Sequence, residues 1–281
     1  MLSNFITNSP MTWLNFVLTD YVAQNQILPD TQVAMQTDIQ ARDLTSYLSA
    51  VKCWSKRSNQ TIYALKRDQM KGFDYLSPEG MYDTVQAYGL PSSIIDLDRA
   101  AQSDTRCFIR TAHGITDPIV INGVSKQGGP LSPMKSTLTT SLGHYYMRDL
   151  LLKDLQALIA ELTNTALDDP HLSDDYTRSL IGMTEATDNT YIFARTLDAL
   201  QKNTLCMESF QFSYGWVTQW SKTVAYVLQP HQDDIINDNK ATLFSIDTSP
   251  GGNPENVVSH EVPLVANKLE FLRTRIDCPK E

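Results

Sequence analysis

Nothing in this sequence approaches the roughly 18 to 20 uninterrupted apolar residues that a membrane-spanning helix requires, and no membrane partner is expected. The stretch from Met1 to Val22 mixes Asn, Thr and Asp into its apolar run and lacks a basic start, which argues against a secretory signal. Cysteine is scarce. Cys53, Cys107, Cys206 and Cys278 stand far apart, without CxxC spacing or nearby histidine pairs. That pattern disfavours a disulfide framework or a zinc site and reads as buried thiols in a reducing compartment, nuclear or cytoplasmic. Positive charge is short as well, with 23 Lys and Arg against 32 Asp and Glu and a net charge of −9. Binders of nucleic acid usually need a basic footprint, because phosphate neutralisation supplies much of the affinity. The charge balance is therefore the main compositional fact against such a role. No internal repeat is apparent.

What is present suits a folded chain. A length of 281 residues with 42% hydrophobic content can bury a sizeable core, and a 20% charged fraction argues against wholesale disorder. Charge is unevenly placed: Lys52, Lys56, Arg57, Lys66, Arg67 and Lys71 cluster early, and acids gather around Asp168, Asp169, Asp174 and Asp175. Helical periodicity puts Leu14, Val17 and Tyr21 on one stripe and Leu44, Leu48 and Val51 on another. Thr61 to Leu65 reads as a strand ending near Asp68. Ser77-Pro78-Glu79 starts a helix that Gly89 and Pro91 stop. A hairpin is expected from Thr105–Ala112 and Pro118–Asn122, then a long helix over about Met134–Leu162 and an exposed insertion over Thr163–Tyr176. Leu180–Thr187 and Thr190–Ala194 form strands joined at an Asp188-Asn189 turn, and Thr196 caps a helix ending near Gly215. Gln229 to Glu261, rich in Asn, Asp, Gly and Pro, reads as a long loop with at most weak strands. The order implies an α+β fold with helices on one face of a small antiparallel sheet.

Two carboxylates stand out: Asp68 at a strand end and Asp188 in a tight turn. If the strands pair, two hard oxygen ligands meet at one sheet edge, the donor type that magnesium prefers. Two metals so held can activate an attacking hydroxyl and stabilise a leaving pyrophosphate. Taken alone, each Asp is more simply an exposed polar residue, since turns favour Asp in any case.

The surrounding residues add a resemblance. Asp68-Gln69-Met70-Lys71-Gly72-Phe73-Asp74 resembles the first palm motif of reverse transcriptases, and Tyr88-Gly89-Leu90-Pro91 matches the end of the helix that follows it there. Gly123 through Pro133, with Gln127-Gly128-Gly129-Pro130-Leu131-Ser132-Pro133, looks like the family's Gln-Gly-x-Pro-Leu-Ser-Pro motif, with one extra residue before the glutamine. Gly215 through Lys222-Thr223 resembles the later Gly…Lys-Thr motif. All stand in the family's order, and about Leu28 to Leu228 is similar to the fungal non-LTR retrotransposon branch. The resemblance implies a polymerase palm at 61–228, partial helical fingers at 1–60, and a loop with the start of a primer-grip region at 229–281. It implies an RNA template, a DNA primer and a dNTP as partners, with two Mg2+ ions as cofactor. Asp68 would ligate both metals, with Asp188 and Asn189 from the hairpin. Phe73 would be the steric gate that excludes ribonucleotides, the alternative being a core phenylalanine. Gln127 and Gly128 would line the nucleotide pocket, against the alternative of a solvent-facing loop glutamine. Lys222 would donate a proton to pyrophosphate, unless it is simply an exposed lysine.

The sequence departs from the family in the hairpin, where Ala186-Thr187-Asp188-Asn189 replaces an aromatic, any residue and then Asp-Asp. Asn189 can offer a carbonyl oxygen but no charge. Reduced activity is expected, and a non-catalytic palm remnant with weak nucleic-acid binding is the alternative. Leu269-Glu270-Phe271-Leu272 faintly resembles the primer-grip strand, with Arg273 where glycine is usual. No thumb is found, nor a basic fingers segment before Met11, so the remaining fingers and thumb are expected from a longer polyprotein.

Overall fold

A computed structural model describes residues 5–36, 39–103, 105–121, 129–153, 158–163, 176–186, 189–230, 239–249, 251–271 and 274–277. Seven helices run as α1 (Phe5–Gln24), α2 (Ala41–Ser58), α3 (Gly72–Tyr75), α4 (Pro78–Ala87), α5 (Ser93–Gln102), α6 (Ser132–Lys153) and α7 (Leu197–Ser213) among the described residues. The strands are β1 (Ile62–Asp68), β2 (Thr105–Cys107), β3 (Arg110–Thr111), β4 (Gly114–Ile115), β5 (Ile119–Ile121), β6 (Ile159–Thr163), β7 (Tyr176–Leu180), β8 (Met183–Ala186), β9 (Asn189–Ala194), β10 (Val224–Leu228), β11 (Lys240–Ile246), β12 (Val257–Ala266), β13 (Lys268–Phe271) and β14 (Thr274–Asp277).

The chain builds around β1. Its apolar run from Ile62 to Leu65 is buried on both faces, as a central strand requires. The main sheet has six strands in the order β11-β12-β10-β1-β9-β8. Every pair is antiparallel except β10 with β12, so the sheet is mixed rather than purely antiparallel. Helices cover both of its faces, not one. Leu44, Leu48 and Val51 of α2 pack on Ile62, Ala64, Tyr191, Phe193, Tyr226 and Leu228. On the opposite face Leu200 and Met207 of α7 and Met147 of α6 meet Tyr63, Leu65, Met183, Ile192, Ala225 and Val227. Each of the Leu, Ile, Val, Phe and Met side chains among these contributes about 1.5–3 kcal/mol when fully buried. A separate helical cluster joins α1, α4, α5 and the start of α6 through Leu14, Leu18, Met81, Val85, Ile95 and Leu138.

Several sequence expectations are corrected here. On α1 the buried stripe is Met11, Leu14, Leu18 and Val22, while Val17 and Tyr21 face solvent beside Trp13 and Phe16. α6 ends at Lys153, and a β6–β7 ladder stands where its last turns were expected. Gly182 follows that ladder between β7 and β8, where a Cβ would lie 2.4 Å from Leu151 Cδ1 of α6, so a larger residue there would have to displace that side chain. The expected loop over 229–261 contains a real hairpin, β11 with β12, whose alternate residues Ala241, Leu243, Val262 and Leu264 are core. The expected hairpin at Thr105–Asn122 is broken into two short ladders, β2–β5 and β3–β4. Cys53 is exposed and Cys107 and Cys206 are half-buried, so these free thiols are not core residues.

Candidate active site

β1 ends at Asp68 in the middle of the sheet edge, between β9 and the loop leading into β10. Asp68 stands directly opposite Asn189 in register. Asp68 alternates with Ile62 and Ala64, and Asn189 with Tyr191 and Phe193, so both leave the sheet on the α2 side. The hairpin register pairs Ala186 with Asn189. The two-residue connection is therefore 187–188 and not Asp188-Asn189, and Asn189 is the first residue of β9. Asp188, Gln127 and Gly128 lie outside the described residues.

Beyond Asp68 the backbone stays paired. Gln219 N–H donates to the Asp68 carbonyl at 2.9 Å, and Met70 N–H to the Val217 carbonyl at 2.9 Å. That pairing brings the 3-10 turn Trp220–Lys222 alongside, with Lys222 Nζ 3.9 Å from Asp68 Oδ1. The Asp68 side chain is 24% exposed and the Lys222 side chain 67% exposed. An ion pair this open adds little stability, but it shows that a cation has access to the carboxylate. Among the described residues no three His, Cys, Asp or Glu gather in the manner of a metal cluster.

Phe73 sits half-buried in the single-turn α3, outside the three apolar clusters. The turn is entered through Lys71 in the left-handed region, at φ 46°. Trp216 Nε1 donates to the Gly72 carbonyl at 2.6 Å, and Ser77 N–H to the Tyr214 carbonyl at 2.9 Å. Gly215 completes the clamp with φ 87°, and a Cβ on it would fall 2.5 Å from the Tyr75 carbonyl oxygen. A left-handed turn pressed on a backbone oxygen admits only glycine. The structure thus brings Asp68, Asn189 and Lys222 together and holds the Phe73 turn through the Gly215–Trp216 segment.

Beneath this edge, on the α7 side, lies a polar layer that the sequence reading missed. Arg67 was counted in a basic surface cluster, but it is fully buried, with Nε donating to Glu208 Oε1 of α7 at 2.6 Å. Thr218 also donates to that oxygen. Lys52 is buried too, so the early basic cluster does not form one surface. Next along the sheet, Glu185 of β8 is completely enclosed. Gln32 Nε2 donates to Glu185 Oε1 at 2.8 Å and Thr190 Oγ1 to its Oε2 at 2.7 Å. His144 Nε2 of α6 stands 3.7 Å from Oε2, an ion-pair distance rather than a hydrogen bond. Burial, the largest influence, pushes the Glu185 pKa up. The neighbouring His144, together with the hydrogen bonds from Thr190 and Gln32, outweighs it and holds the carboxyl below its ordinary value. The only sequence signal for this layer is a charged residue at an inward strand position, which the alternation of Met183 and Glu185 would have exposed.

No family model matches the chain, and no curated protein sequence matches it. Solved structures do resemble it. Apo telomerase from Candida tropicalis superposes with a TM-score of 0.56 at 12% identity, over 96% of this chain and 39% of that one. The same enzyme truncated from its C-terminal domain gives 0.53 at 14% identity, over 83% and 42%. Telomerase from Candida tropicalis in complex with a TWJ fragment of telomeric RNA gives 0.52 at 13% identity, over 78% and 33%. The chain thus spans less than half the length of the telomerases that it matches. Identities this low carry the fold alone, and that fold is a mixed α+β, palm-like arrangement shared with these telomerase structures.

Proposed function

We propose that this chain is the palm-centred part of an RNA-directed DNA polymerase, a reverse transcriptase whose motifs most resemble those of non-LTR retrotransposons. The observation that carries the reading is Asp68, which ends the central strand in register with Asn189 and lies within ion-pair distance of Lys222. A solved neighbour holds telomeric RNA, which supports an RNA template beside a DNA primer and dNTP. The donor set fits magnesium in kind, since a part-exposed carboxylate and an amide oxygen are hard ligands and the Lys222 ammonium already stands beside Oδ1. Asp68, Asp188 and Asn189 would hold the ions. Bound magnesium, two ions in this reading, would supply charge to the attacking hydroxyl and the leaving pyrophosphate.

The chain's own groups do the rest. Phe73, on its clamped turn, closes against the sugar and excludes a 2′-hydroxyl. Gln127 and Gly128 would line the nucleotide pocket. Lys222, exposed beside Asp68, donates a proton to the pyrophosphate oxygen as it departs. Remaining fingers and thumb segments of a longer polyprotein would position primer and template, which contributes much of the barrier reduction.

Primer extension on an RNA template tests this. The chain as it stands should extend poorly in magnesium. Asn189→Asp, with fingers and thumb supplied, should restore extension, and adding Asp68→Asn should abolish it. Extension unaffected by Asp68→Asn would overturn the reading. In active protein, Phe73→Ala should admit ribonucleotides. Asn189 favours one second reading, a palm remnant that binds nucleic acid weakly without catalysis. Binding of a primer–template duplex with no extension from the Asn189→Asp protein, fingers and thumb present, would select it.

A further inference from the structure

The polar knot around Glu185 has a geometry that core packing alone does not require. Glu185 and Thr190 are directly opposed across the β8–β9 ladder, and their side chains are bonded to each other. The Glu185 backbone is held as well: its N–H donates to the Thr31 carbonyl at 2.9 Å, and its carbonyl accepts from Val33 N–H at 2.8 Å. Gln32, between those two, is 1% exposed and donates both to Glu185 and to Thr140 Oγ1 of α6, each at 2.8 Å. Thr31 Oγ1 bonds His144 Nδ1 at 2.8 Å. Four segments of the chain therefore converge on one enclosed carboxylate: the strand-like 31–33, α6, β8 and β9.

The consequence is register. A slip of one residue turns every side chain of the strand that moves to the other face. If β8 slipped against a β9 still in register with β1, the Glu185 charge would be driven into the apolar α2 face; if β9 slipped instead, Asn189 would turn away from Asp68 and Thr190 away from Glu185. A charged acceptor without its donors in an apolar layer is heavily penalised, so the slipped pairing is suppressed. We infer that Glu185 is a positioning residue that fixes the register of the β8–β9 hairpin and so holds Asn189 opposite Asp68. The inference rests on the reading of Asp68 and the hairpin as a cation site.

The test uses the isotope-labelled full chain with Mn2+ alone as probe. In the parent, Mn2+ should broaden the amide signals of Asp68 and Asn189, and cross-strand contacts should link Ala186 to Asn189. Glu185→Ala should weaken the apparent Mn2+ affinity by about 10-fold or more, the usual effect of losing a supporting residue, and should lose or double the Ala186–Asn189 contacts. Glu185→Gln should stay close to the parent, because its amide oxygen still accepts from Gln32 and the Thr190 hydroxyl can reverse its role. Val85→Ala, in the remote helical cluster, should lower stability and leave Mn2+ affinity unchanged. If Glu185→Ala does not fold, Thr190→Val carries the same comparison. Parent-like affinity and contacts in the folded alanine or valine variant would overturn the positioning role and leave the cation site standing. No broadening at either amide of the parent would remove the cation site itself, and the positioning role with it.

Discussion

At the scale of single residues, the chemistry of this edge turns on charge. Asn189 offers an oxygen where a carboxylate would also offset a divalent cation, and it faces Asp68 directly. Asn189→Asp should therefore tighten Mn2+ binding, by about 10-fold or more if the added charge is worth ~1.4 kcal/mol, as measured by direct titration. No change in affinity would mean that position 189 is not a ligand. Behind the edge, the Arg67–Glu208 pair is enclosed, and removing one partner strands the other's charge. Glu208→Ala should cost about 3–5 kcal/mol in urea unfolding. A loss under about 1 kcal/mol, the value of an exposed pair, would mean that water reaches Arg67 after the truncation.

At the scale of elements, the short pieces decide more than the long ones. α3 is a single turn, yet it presents Phe73, and the Gly215–Trp216 segment holds it. Gly215→Ala meets both a left-handed φ and a backbone oxygen at 2.5 Å. It should destabilise the chain by about 1–3 kcal/mol, the usual cost of a strained backbone position, and should shift the resonances of Gly72 and Phe73. An unperturbed Phe73 would show that the clamp is not what orients it. The β11–β12 hairpin acts differently, by extending the sheet alongside β10 through a parallel pairing at Ala225–Leu264.

For the whole molecule, the titrating groups set a pH window. Glu185 has its folded pKa below the ordinary 4.5. Its contribution is present above the unfolded value and is lost as pH falls through the lower, folded one. At the other end, burial pushes Tyr47 up to about 12, and burial followed by the Glu270 charge does the same for Tyr226. A raised tyrosine favours folding fully below its unfolded value of 10.0, and that contribution disappears as pH rises through the folded value of about 12. Urea midpoints measured against pH should therefore fall below about 4.5 and again between about 10 and 12. Tyr47→Phe should flatten part of the alkaline limb. An alkaline limb unchanged by Tyr47→Phe would take Tyr47 out of this account.

The sequence by itself determined the elements whose signals are local. Ser77 capping Pro78–Ala87, Thr196 capping Leu197–Ser213, and the apolar run that makes β1 all follow from neighbouring residues. It also placed Asp68 at a strand end. Only the tertiary structure decided which face of α1 is buried, because Leu14 and Val17 are equally apolar and only packing against Met81, Val85 and Ile95 selects Leu14. It alone made β11 and β12 from a segment full of turn residues, since a strand's stability lies largely in its partners and its burial rather than in its own propensity. Arg67 read as surface charge, and Glu185 and His144 went unmarked, for the same reason. A charge goes inside only when its partners come from elsewhere in the chain, and Glu208, Gln32 and Thr190 reach these groups through the fold.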